Sequence, residues 1–539
     1  MKLQNVLLTG ALTLGMVSCN FLDEEPLVDQ TETNFFDTAL NAIAAVNSVY
    51  DPLTWGQSGS TMPVSFSHAY EFLIGDVCTD DGAKGSTAGD QADIQALKEW
   101  RATADNANLT GLWYNPFVGV YRANIVINNI GESPIDAGLK QRLMGEATFL
   151  RGYYYFQLAR IFGGVPVLTE PIDPDVVAAG NFSRNTLNEV YAQINRDFRA
   201  AAEVLPTKSS YGAADLGRVT QGTAQAYAAR AYMYQIGTAN GAAIGWDSVA
   251  HYANAVINSG EYALETNYAT IFEMAGENGP ESIFEIQAIE TGDLNFSTGA
   301  GTIETIFTNP FGTIGWGFLN PTQELFDTFE ADDPRRENTL FSSGDFAHGV
   351  EIDVASGDRS ETGFLNRKKI LDPNHYPSDP RDSPQNIRKM RYADVVLMAA
   401  EAAYHLGNEG EARSLVNEIR DRARNSTFPL GYDGANPDSY PNTGYSGNLA
   451  PLVGTTTGTD LLDAIYHERR VELGMESVRF WDLVRTGRYL DAMEAQMGAE
   501  VRSRAEARSL TDGMVNPVPL FPIPSTEVAA WGIAQNPGY

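Results

Sequence analysis

Cysteine is almost missing from this chain, whose 539 residues contain only Cys19 and Cys78. The two lie in very different surroundings, so a disulfide between them is not expected. The stability of the fold must then come from the size of its core. Because 43% of the residues are hydrophobic and 10% are aromatic, the chain can form one large core or two tightly joined units.

Positive charge is also scarce. The chain has 37 Lys and Arg residues against 69 Asp and Glu residues, and its formal net charge is −32 at pH 7. A surface with this balance repels the phosphate backbone of nucleic acid over most of its area. The composition therefore argues against nucleic acid as a partner.

Familiar catalytic motifs are missing as well. The sequence has no phosphate-binding loop ending in Gly-Lys-Ser/Thr and no Gly-x-Ser-x-Gly turn. None of the six histidines lies three or four residues from another, so no helical zinc site is expected. The abundant acidic residues produce carboxylate pairs by chance, which is no argument for glycoside hydrolysis. We therefore expect neither an enzyme nor a bound cofactor.

Calcium is the one metal that the sequence leaves open. Asp76, Asp80, Asp81 and Asp90 lie close together along the chain and could offer oxygen ligands. They lack the alternating spacing of a helix-loop-helix calcium loop. We therefore predict no metal site there, and interpret this segment as a solvated acidic loop.

The N-terminal residues have the pattern of a signal peptide. Lys2 precedes an apolar run over residues 6–17, and the small residue Ser18 stands directly before Cys19. The run is too short to span a hydrocarbon layer of roughly 30 Å, and no later segment approaches roughly 18 uninterrupted apolar residues. The sequence predicts a signal peptide at residues 1–18 and no transmembrane helix in the mature chain.

The segment that ends at Cys19 resembles a bacterial lipobox, in which the cysteine is acylated and becomes the new N-terminus. Met16 stands where Leu is usual. The acidic residues 23–25 follow and resemble the surface-export signal of Bacteroidetes lipoproteins. These resemblances imply an outer-membrane protein that is anchored by lipid at Cys19 and exposed at the cell surface. An ordinary secretory cleavage site near a cysteine is the alternative.

Apolar residues recur every three to four positions in several segments, which is the spacing of one helical face. The pattern predicts helices at residues 141–158, 220–234 and 249–257. A helical hairpin is predicted at residues 391–424, with its turn at Gly407. Asn408, three residues before Glu411, is predicted to cap the second helix of this hairpin.

The predicted fold class is mainly α, with tetratricopeptide-like helical hairpins forming a scaffold that carries irregular loops and a few short strands. One strand is expected at residues 282–287, and residues 517–524 contain too much proline for a central strand. Periodicity alone leaves generic helical hairpins open as the alternative.

Several segments, spread over most of the mature chain, resemble the SusD/RagB family. The longest read YRANIVINNI at 121–130, GEATFLRGYYYFQL at 145–158, RYADVVLMAAEA at 391–402 and RFWDLVRTG at 479–487. Shorter ones lie at 113–115, 162–166, 281–286, 468–473, 521–524 and 535–539. Each alone is weak, but their order behind a lipobox makes the resemblance specific.

The resemblance implies a helical protein that sits as a lid on a SusC-like, TonB-dependent outer-membrane transporter and hands it a captured nutrient. The nutrient is often an oligo- or polysaccharide. A peptide-binding lid of the same kind of transporter and a protein-protein adaptor remain alternatives. We divide the chain into the signal peptide 1–18, an N-terminal region 19–240 and a C-terminal region 241–539, and expect the two regions to pack as one body.

A protein that binds neutral sugar needs flat rings to stack on sugar faces and polar side chains around them for the hydroxyls. Loops rich in both supply the candidates for ligand contact: Trp55, His68, Tyr70, Asp80, Asp81, Trp100, Trp316, Phe318 and Asn320. Trp113 and Trp481 fall in helical family segments and are assigned to the scaffold.

One charged set alternates in sign over two predicted helices. Ion pairs that hold the scaffold together are the predicted role, since arginine forks bind carboxylates where helices meet. The set consists of Glu468, Arg469, Arg470, Glu472, Glu476, Arg479, Asp482 and Arg485.

Overall fold

The structure is a computed structural model and describes residues 35–539 except 57–70, 173–175, 177–181, 240–243, 295–299, 311–313, 344, 348–349, 352–353, 355–359, 373–374 and 427–448. The predicted signal peptide, the lipidation site at Cys19 and the ligand candidates His68 and Tyr70 lie outside the described residues. They remain predictions.

Helices dominate the described chain, which confirms the mainly α prediction. The α-helices are α1 (Ala39–Tyr50), α2 (Ala92–Lys98), α3 (Ala107–Ile130), α4 (Ala137–Phe162), α5 (Leu187–Val204), α6 (Gln221–Gly237), α7 (Trp246–Asn258), α8 (Glu304–Thr308), α9 (Gln323–Thr328), α10 (Arg335–Thr339), α11 (Tyr392–His405), α12 (Glu409–Asn425), α13 (Gly458–Leu473), α14 (Arg479–Arg485), α15 (Tyr489–Met497), α16 (Ala499–Ala507) and α17 (Ser525–Trp531). The three single helices predicted from periodicity correspond to α4, α6 and α7.

The long helices pack side by side in chain order. Helix α3 packs on α4, α4 on α5, α5 on α6, and α6 on α7. Helix α7 then packs on α11, which forms a hairpin with α12. The row is also covered from outside, because α1 packs on α3 and α4, α14 packs on α6, and α13 packs on α11. The largest apolar cluster draws residues from both halves of the chain, among them Trp113, Phe149, Tyr227 and Phe480.

The predicted hairpin is confirmed as α11 and α12, but its predicted cap is wrong. Gly407 takes a φ of 83°, and the N–H groups of Gly407 and Asn408 donate to the carbonyls of Tyr404 and Ala403 at 2.9 and 2.8 Å. Asn408 therefore serves to close α11. Its backbone, at φ −95° and ψ 57°, leaves the extended conformation of a typical cap, and its side chain makes no bond to the first turn of α12.

The described strands are short and pair two by two. They are β1 (Gly82–Gly85), β2 (Ser282–Ile286), β3 (Phe318–Pro321), β4 (Leu340–Phe341), β5 (Phe346–Ala347), β6 (Val350–Glu351), β7 (Leu365–Asn366), β8 (Ile387–Arg391), β9 (Ser509–Leu510) and β10 (Val518–Pro519). The strand predicted at 282–287 is confirmed as β2.

Strand β2 follows α7 and pairs antiparallel with β8, which leads directly into α11. The long segment between α7 and α11 therefore begins and ends beside the row of helices. Strand β2 also packs against α6. Among the helices of the described residues, none combines the length and the apolar character that crossing a lipid bilayer requires.

Candidate ligand-binding site

Two neighbouring recesses open beside the short 3-10 helix Asp51–Leu53 that follows α1. The larger, which we call the Tyr50 recess, has a volume of about 320 Å³ and is lined by Tyr50, Leu216 and Gln287 among others. The smaller, which we call the Trp55 recess, has a volume of about 40 Å³. Leu53 and Ile286 line both, so these two side chains separate the recesses.

Local backbone features explain why the end of α1, strand β2 and the loop at 213–217 meet. Pro52 at the start of the 3-10 helix presets its φ and directs the chain away from α1. The end of β2 and the residue after it form one wall of the Tyr50 recess, with Phe284, Glu285, Ile286 and Gln287 in its lining. Gly217 takes a φ of 88°, and a Cβ there would lie 2.3 Å from the side chain of Gln287. Glycine therefore allows the loop at 213–217 to close against β2.

The Tyr50 recess combines apolar surface with firmly held polar groups. The hydroxyl of Tyr50 donates to Glu146 at 2.9 Å and accepts from the N–H of Val219 at 3.1 Å. Burial and the charge of Glu146 raise the pKa of Tyr50 well above its usual value, so the phenol stays neutral. Arg218 donates to Glu146 at 2.9 Å. Leu216 is 54% exposed and supplies apolar surface at the rim.

Trp55, the half-buried ring of the smaller recess, is held against a cation. The guanidinium carbon of Arg122 lies 5.0 Å from the ring centroid, and Arg122 donates to Asp51 at 2.7 Å. The Nε1 of Trp55 is buried and bonds no atom of the described residues. A buried donor without an acceptor is costly, so we expect an oxygen of a ligand or of water at this position.

An ionised carboxylate, Glu71, lies at the polar side of the Trp55 recess. It accepts from Arg160 at 2.5 Å and from Lys389 at 3.2 Å. Burial opposes ionisation of Glu71, but these two cations outweigh burial and lower its pKa to about 2. Arg160 is itself fixed between the rings of Phe156 and Trp481, at 4.3 and 4.7 Å from their centroids. The recess therefore presents charges that hold their positions.

Of the residues predicted to contact ligand, Trp55 lines a recess, whereas three others pack the interior. Trp100 is 1% exposed, stacks on Phe521 at 4.5 Å and donates to the hydroxyl of Tyr489 at 2.9 Å. Phe318 is buried and stacks on Phe307. Asn320 is also buried. These placements correct the prediction for Trp100, Phe318 and Asn320, which stabilise the fold instead of facing solvent.

Trp316 is half-buried and edge-on to Phe307, with ring centroids 5.8 Å apart. It packs against a smaller buried apolar cluster that includes Phe72, Phe307 and Leu319, and it lines neither recess. Residues 312 and 313 of the glycine-rich stretch before it lie outside the described residues.

Asp76, Asp80 and Asp81 are buried and Asp90 is half-buried, which corrects both the ligand-contact prediction for Asp80 and Asp81 and the prediction of a solvated loop. Arg479 donates two bonds to Asp80 at 2.9 and 2.7 Å, and Arg470 donates two to Asp81 at 2.8 and 2.5 Å. Asp76 is fully buried and accepts from a backbone N–H. Guanidinium partners from the C-terminal third, which local sequence does not reveal, draw this segment inward.

Two lysines supply positive charge to the same segment. The Nζ of Lys98 donates to the carbonyls of Val77, Thr79 and Gly82 at 2.7–3.1 Å. The Nζ of Lys84 donates to three further carbonyls, including that of Asp90 at 2.9 Å. Within the described residues, no group of three or more His, Cys, Asp and Glu side chains is placed to hold a metal ion.

Two profile matches identify the family. A profile of the SusD family matches residues 280–539, and a profile described as starch-binding associating with outer membrane, from SusD-like proteins, matches residues 20–233. Together they cover most of the chain. The chain belongs to the SusD family.

Known SusD-like proteins match over nearly the full length. SusD-like protein P2 from Formosa agariphila is 26% identical, and the match covers 98% of both chains. A SusD-like protein from Bacteroides ovatus is 25% identical, with 90% of this chain and 82% of the relative covered. Among solved structures, surface glycan-binding protein A from Bacteroides fluxus superposes with a TM-score of 0.73 at 25% identity, covering 93% of this chain and 100% of that one.

The charged set in the SusD motifs forms buried ion pairs, as predicted. Glu472 accepts from Arg391 at 3.0 Å, from Arg422 at 2.5 Å and from Arg335 at 3.1 Å. Burial opposes ionisation of Glu472, but the three guanidinium charges outweigh burial and lower its pKa to about 2. We call this group the buried charge network, and its members are Glu281, Arg335, Arg391, Arg422, Glu468 and Glu472.

Sequence reasoning missed Tyr50, Leu216, Gln287 and Glu71, which lie far apart along the SusD-like chain and meet only in the folded protein. The one local signal was Pro52, which marks the break after α1. The recesses thus depend on tertiary contacts between α1, the loop at 213–217 and β2.

Proposed function

We propose that this SusD-family protein binds an oligo- or polysaccharide at the Tyr50 and Trp55 recesses, leaves it unaltered, and delivers it to a SusC-like TonB-dependent transporter. The observation that carries the proposal is the pair of adjoining recesses, in which aromatic rings stand beside fixed polar groups. The Tyr50 recess falls within the range of about 300–1,000 Å³ that is typical of small-molecule sites.

The lining suits a sugar. The ring of Trp55 can stack on the C–H face of a sugar, and its Nε1, which bonds no atom of the described residues, can donate to a hydroxyl. Gln287 at the mouth of the Tyr50 recess offers both a donor and an acceptor. The family descriptions and the name of the Bacteroides fluxus neighbour, a surface glycan-binding protein, support the same ligand class.

Binding without catalysis is supported by the state of the carboxylates in the Trp55 recess. A glycosidase needs one carboxylic acid whose raised pKa lets it donate a proton. The pKa of Glu71 is instead lowered to about 2. The other lining carboxylate, Glu304, is paired with Lys369. Glu71 is therefore not prepared to protonate a glycosidic oxygen.

The experiment is calorimetric titration of the purified protein against a panel of glycans and, separately, a panel of mixed oligopeptides. Heat of binding with at least one glycan, and no new reducing ends after prolonged incubation, is the expected result. Heat with oligopeptides alone would replace the proposal by the peptide-binding lid. Release of reducing ends would contradict the proposal that the ligand is left unaltered.

We further propose that lipid on Cys19 anchors the protein at the outer face of the outer membrane. The family description, which names association with the outer membrane, supports this location. The described body has one cysteine, Cys78, and it is buried and free. In the full chain, Cys19→Ala should therefore abolish incorporation of labelled palmitate and release the protein from membranes, whereas Cys78→Ala should leave both unchanged. Retained labelling of Cys19→Ala would contradict the anchor.

A further inference from the structure

A second polar crevice lies away from the two recesses, where α13, α14 and the start of α15 meet. Its lining contains five arginines and two aspartates, with Tyr466 beside them. We call it the arginine crevice, and its arginines are Arg469, Arg470, Arg479, Arg485 and Arg488. This concentration of positive charge is unusual in a chain whose net charge is −32.

The two lining aspartates are already compensated. Asp81 lies 2.5 Å from Arg470 and 3.6 Å from Arg479. Asp482 lies 3.1 Å from Arg469 and 2.7 Å from Arg485.

The same four arginines also bond carboxylates behind the crevice wall. Arg469 pairs with Asp394 at 2.7 Å, and Arg485 with Glu401 at 2.6 Å. Arg470 and Arg479 share Asp80, at 3.1 and 2.7 Å. Four of the five guanidinium charges are thus neutralised by the protein.

Arg488 differs from the other four. Its Nε donates to the hydroxyl of Thr486 at 3.1 Å, and its guanidinium carbon lies 4.2 Å from the ring centroid of Tyr466. Within the described part of the chain, it forms no ion pair, and its two terminal nitrogens bond no protein atom. Burial, with repulsion from Arg479 and Arg485, lowers its pKa. Asp482 attracts the guanidinium but forms no ion pair with it among the described residues, and an anion at its terminal nitrogens would offset the cost of its partial burial.

The size of the crevice limits what can enter. The crevice is partly open to solvent, and the free space between its walls is about 10 Å³, which is close to the space that one water molecule needs. A sugar ring does not fit, but a halide ion or the head of a small carboxylate does. The free edge of Arg488 presents two parallel donors, the arrangement that binds such anions.

We propose that the arginine crevice binds one small monovalent anion, of the halide or simple carboxylate class, at the terminal nitrogens of Arg488. The site is separate from the glycan recesses and does not depend on the proposed function. The bound anion links α15 to the junction of α13 and α14, and so stabilises the C-terminal part of the scaffold.

Thermal unfolding at constant ionic strength tests the proposal, with sodium gluconate replaced stepwise by sodium chloride or sodium formate. Gluconate is too bulky for the crevice and serves as the ionic-strength control. The melting temperature should rise with chloride or formate and reach a plateau, because a saturable site stabilises the folded state. Which of the two salts acts decides between a halide and a carboxylate. Equal melting temperatures in all three salts would overturn the proposal.

Variants locate the effect. Arg488→Gln should raise the anion concentration at which half of the effect is reached by about tenfold or more, since one charge-assisted contact is lost. Arg502→Gln, at an exposed arginine that pairs with Asp491 and Glu494, is the matched control and should respond as the wild type does. An unchanged response in Arg488→Gln would contradict the site.

Crystals of the wild-type protein soaked in sodium bromide give a test that needs no variant. An anomalous peak beside the terminal nitrogens of Arg488 is expected if the site takes a halide. If chloride stabilises the protein in solution but bromide occupies only other positions, the assignment to the arginine crevice fails.

Discussion

The buried charge network and the two recesses are built from similar residue types but differ in how completely those residues are partnered. In the network, Glu472 contacts three arginines and is fully buried. In the Trp55 recess, the indole N–H has no described partner and the ring is half-buried. The charge of Glu472 is matched by three guanidinium groups and holds the fold, whereas the indole N–H of Trp55 lies at a recess where a ligand oxygen could accept from it.

Charge density alone is a poor guide to function in this protein. The motif at residues 468–485 contains eight charged residues that could suggest a catalytic centre. Every one of them lies in an ion pair with a defined partner. Removing one partner of a buried ion pair is strongly destabilising, because the other charge is left buried without compensation. Stability, and not ligand affinity, is therefore the property that changes in this region should affect.

The largest expected effect comes from removing the centre of the network. Glu472→Gln leaves three buried guanidinium groups with less negative charge, and should lower the free energy of unfolding by about 3–5 kcal/mol. Chemical denaturation followed by circular dichroism measures this. Glu500→Gln, at an exposed carboxylate paired with Arg504, is the control and should cost less than about 0.5 kcal/mol. Equal losses of unfolding free energy for both variants would show that the network contributes no more than an exposed ion pair.

Acid provides a second way to break the network. The pKa of Glu472 is about 2 in the folded protein, below its usual 4.5. A lowered folded pKa adds stability above the unfolded value, and that stability disappears as the pH falls from 4.5 toward 2. The free energy of unfolding should therefore decrease over this window. Glu472→Gln should show a smaller decrease than the wild type, and identical pH profiles would contradict the assignment.

Arg479 sharpens the comparison, because it lies in a family motif but away from both recesses. It donates two bonds to Asp80, which keeps Arg470 as a second partner. Arg479→Ala should therefore cost about 2 kcal/mol of stability, while glycan affinity stays at the wild-type value. Denaturation and calorimetry on the same preparation separate the two. Loss of binding with unchanged unfolding would assign Arg479 to the ligand site.

Trp100 provides the smallest of these effects. Trp100→Phe keeps most of the ring stacked on Phe521 but removes the N–H that donates to Tyr489. The expected cost is about 1–2 kcal/mol of stability, since the hydroxyl of Tyr489 loses a buried partner. Glycan affinity should not change. A fall in affinity with unaltered stability would restore Trp100 as a ligand-contacting residue.

The sequence was a better guide to the scaffold than to the site. Periodicity placed α4, α6, α7 and the hairpin of α11 and α12, because long helices repeat their apolar positions many times. It also marked residues 468–485 as ion-paired. The helices follow from local pattern, whereas most partners of these ion pairs lie 48 to 399 residues away in the chain.

The site depends on contacts that local pattern does not show. Asp80 and Asp81 read as a solvated loop, although arginines almost 400 residues later draw them into the interior. Trp55 was among the candidates because it lies in a loop region that holds both aromatic and polar side chains. Tyr50 and Leu216 were missed, since they belong to one recess only after α1 and the loop at 213–217 have met β2.

If the recesses beside the Asp51–Leu53 helix hold the ligand, removal of the Trp55 ring must weaken binding. Calorimetric titration of Trp55→Ala with a glycan that binds the wild type measures this. Trp246→Ala is the matched control, because Trp246 is also half-buried but stacks on His405, away from both recesses. Trp55→Ala should bind the glycan at least about tenfold more weakly than the wild type, and Trp246→Ala should bind it as the wild type does. Wild-type affinity in Trp55→Ala would contradict a ligand site at these recesses.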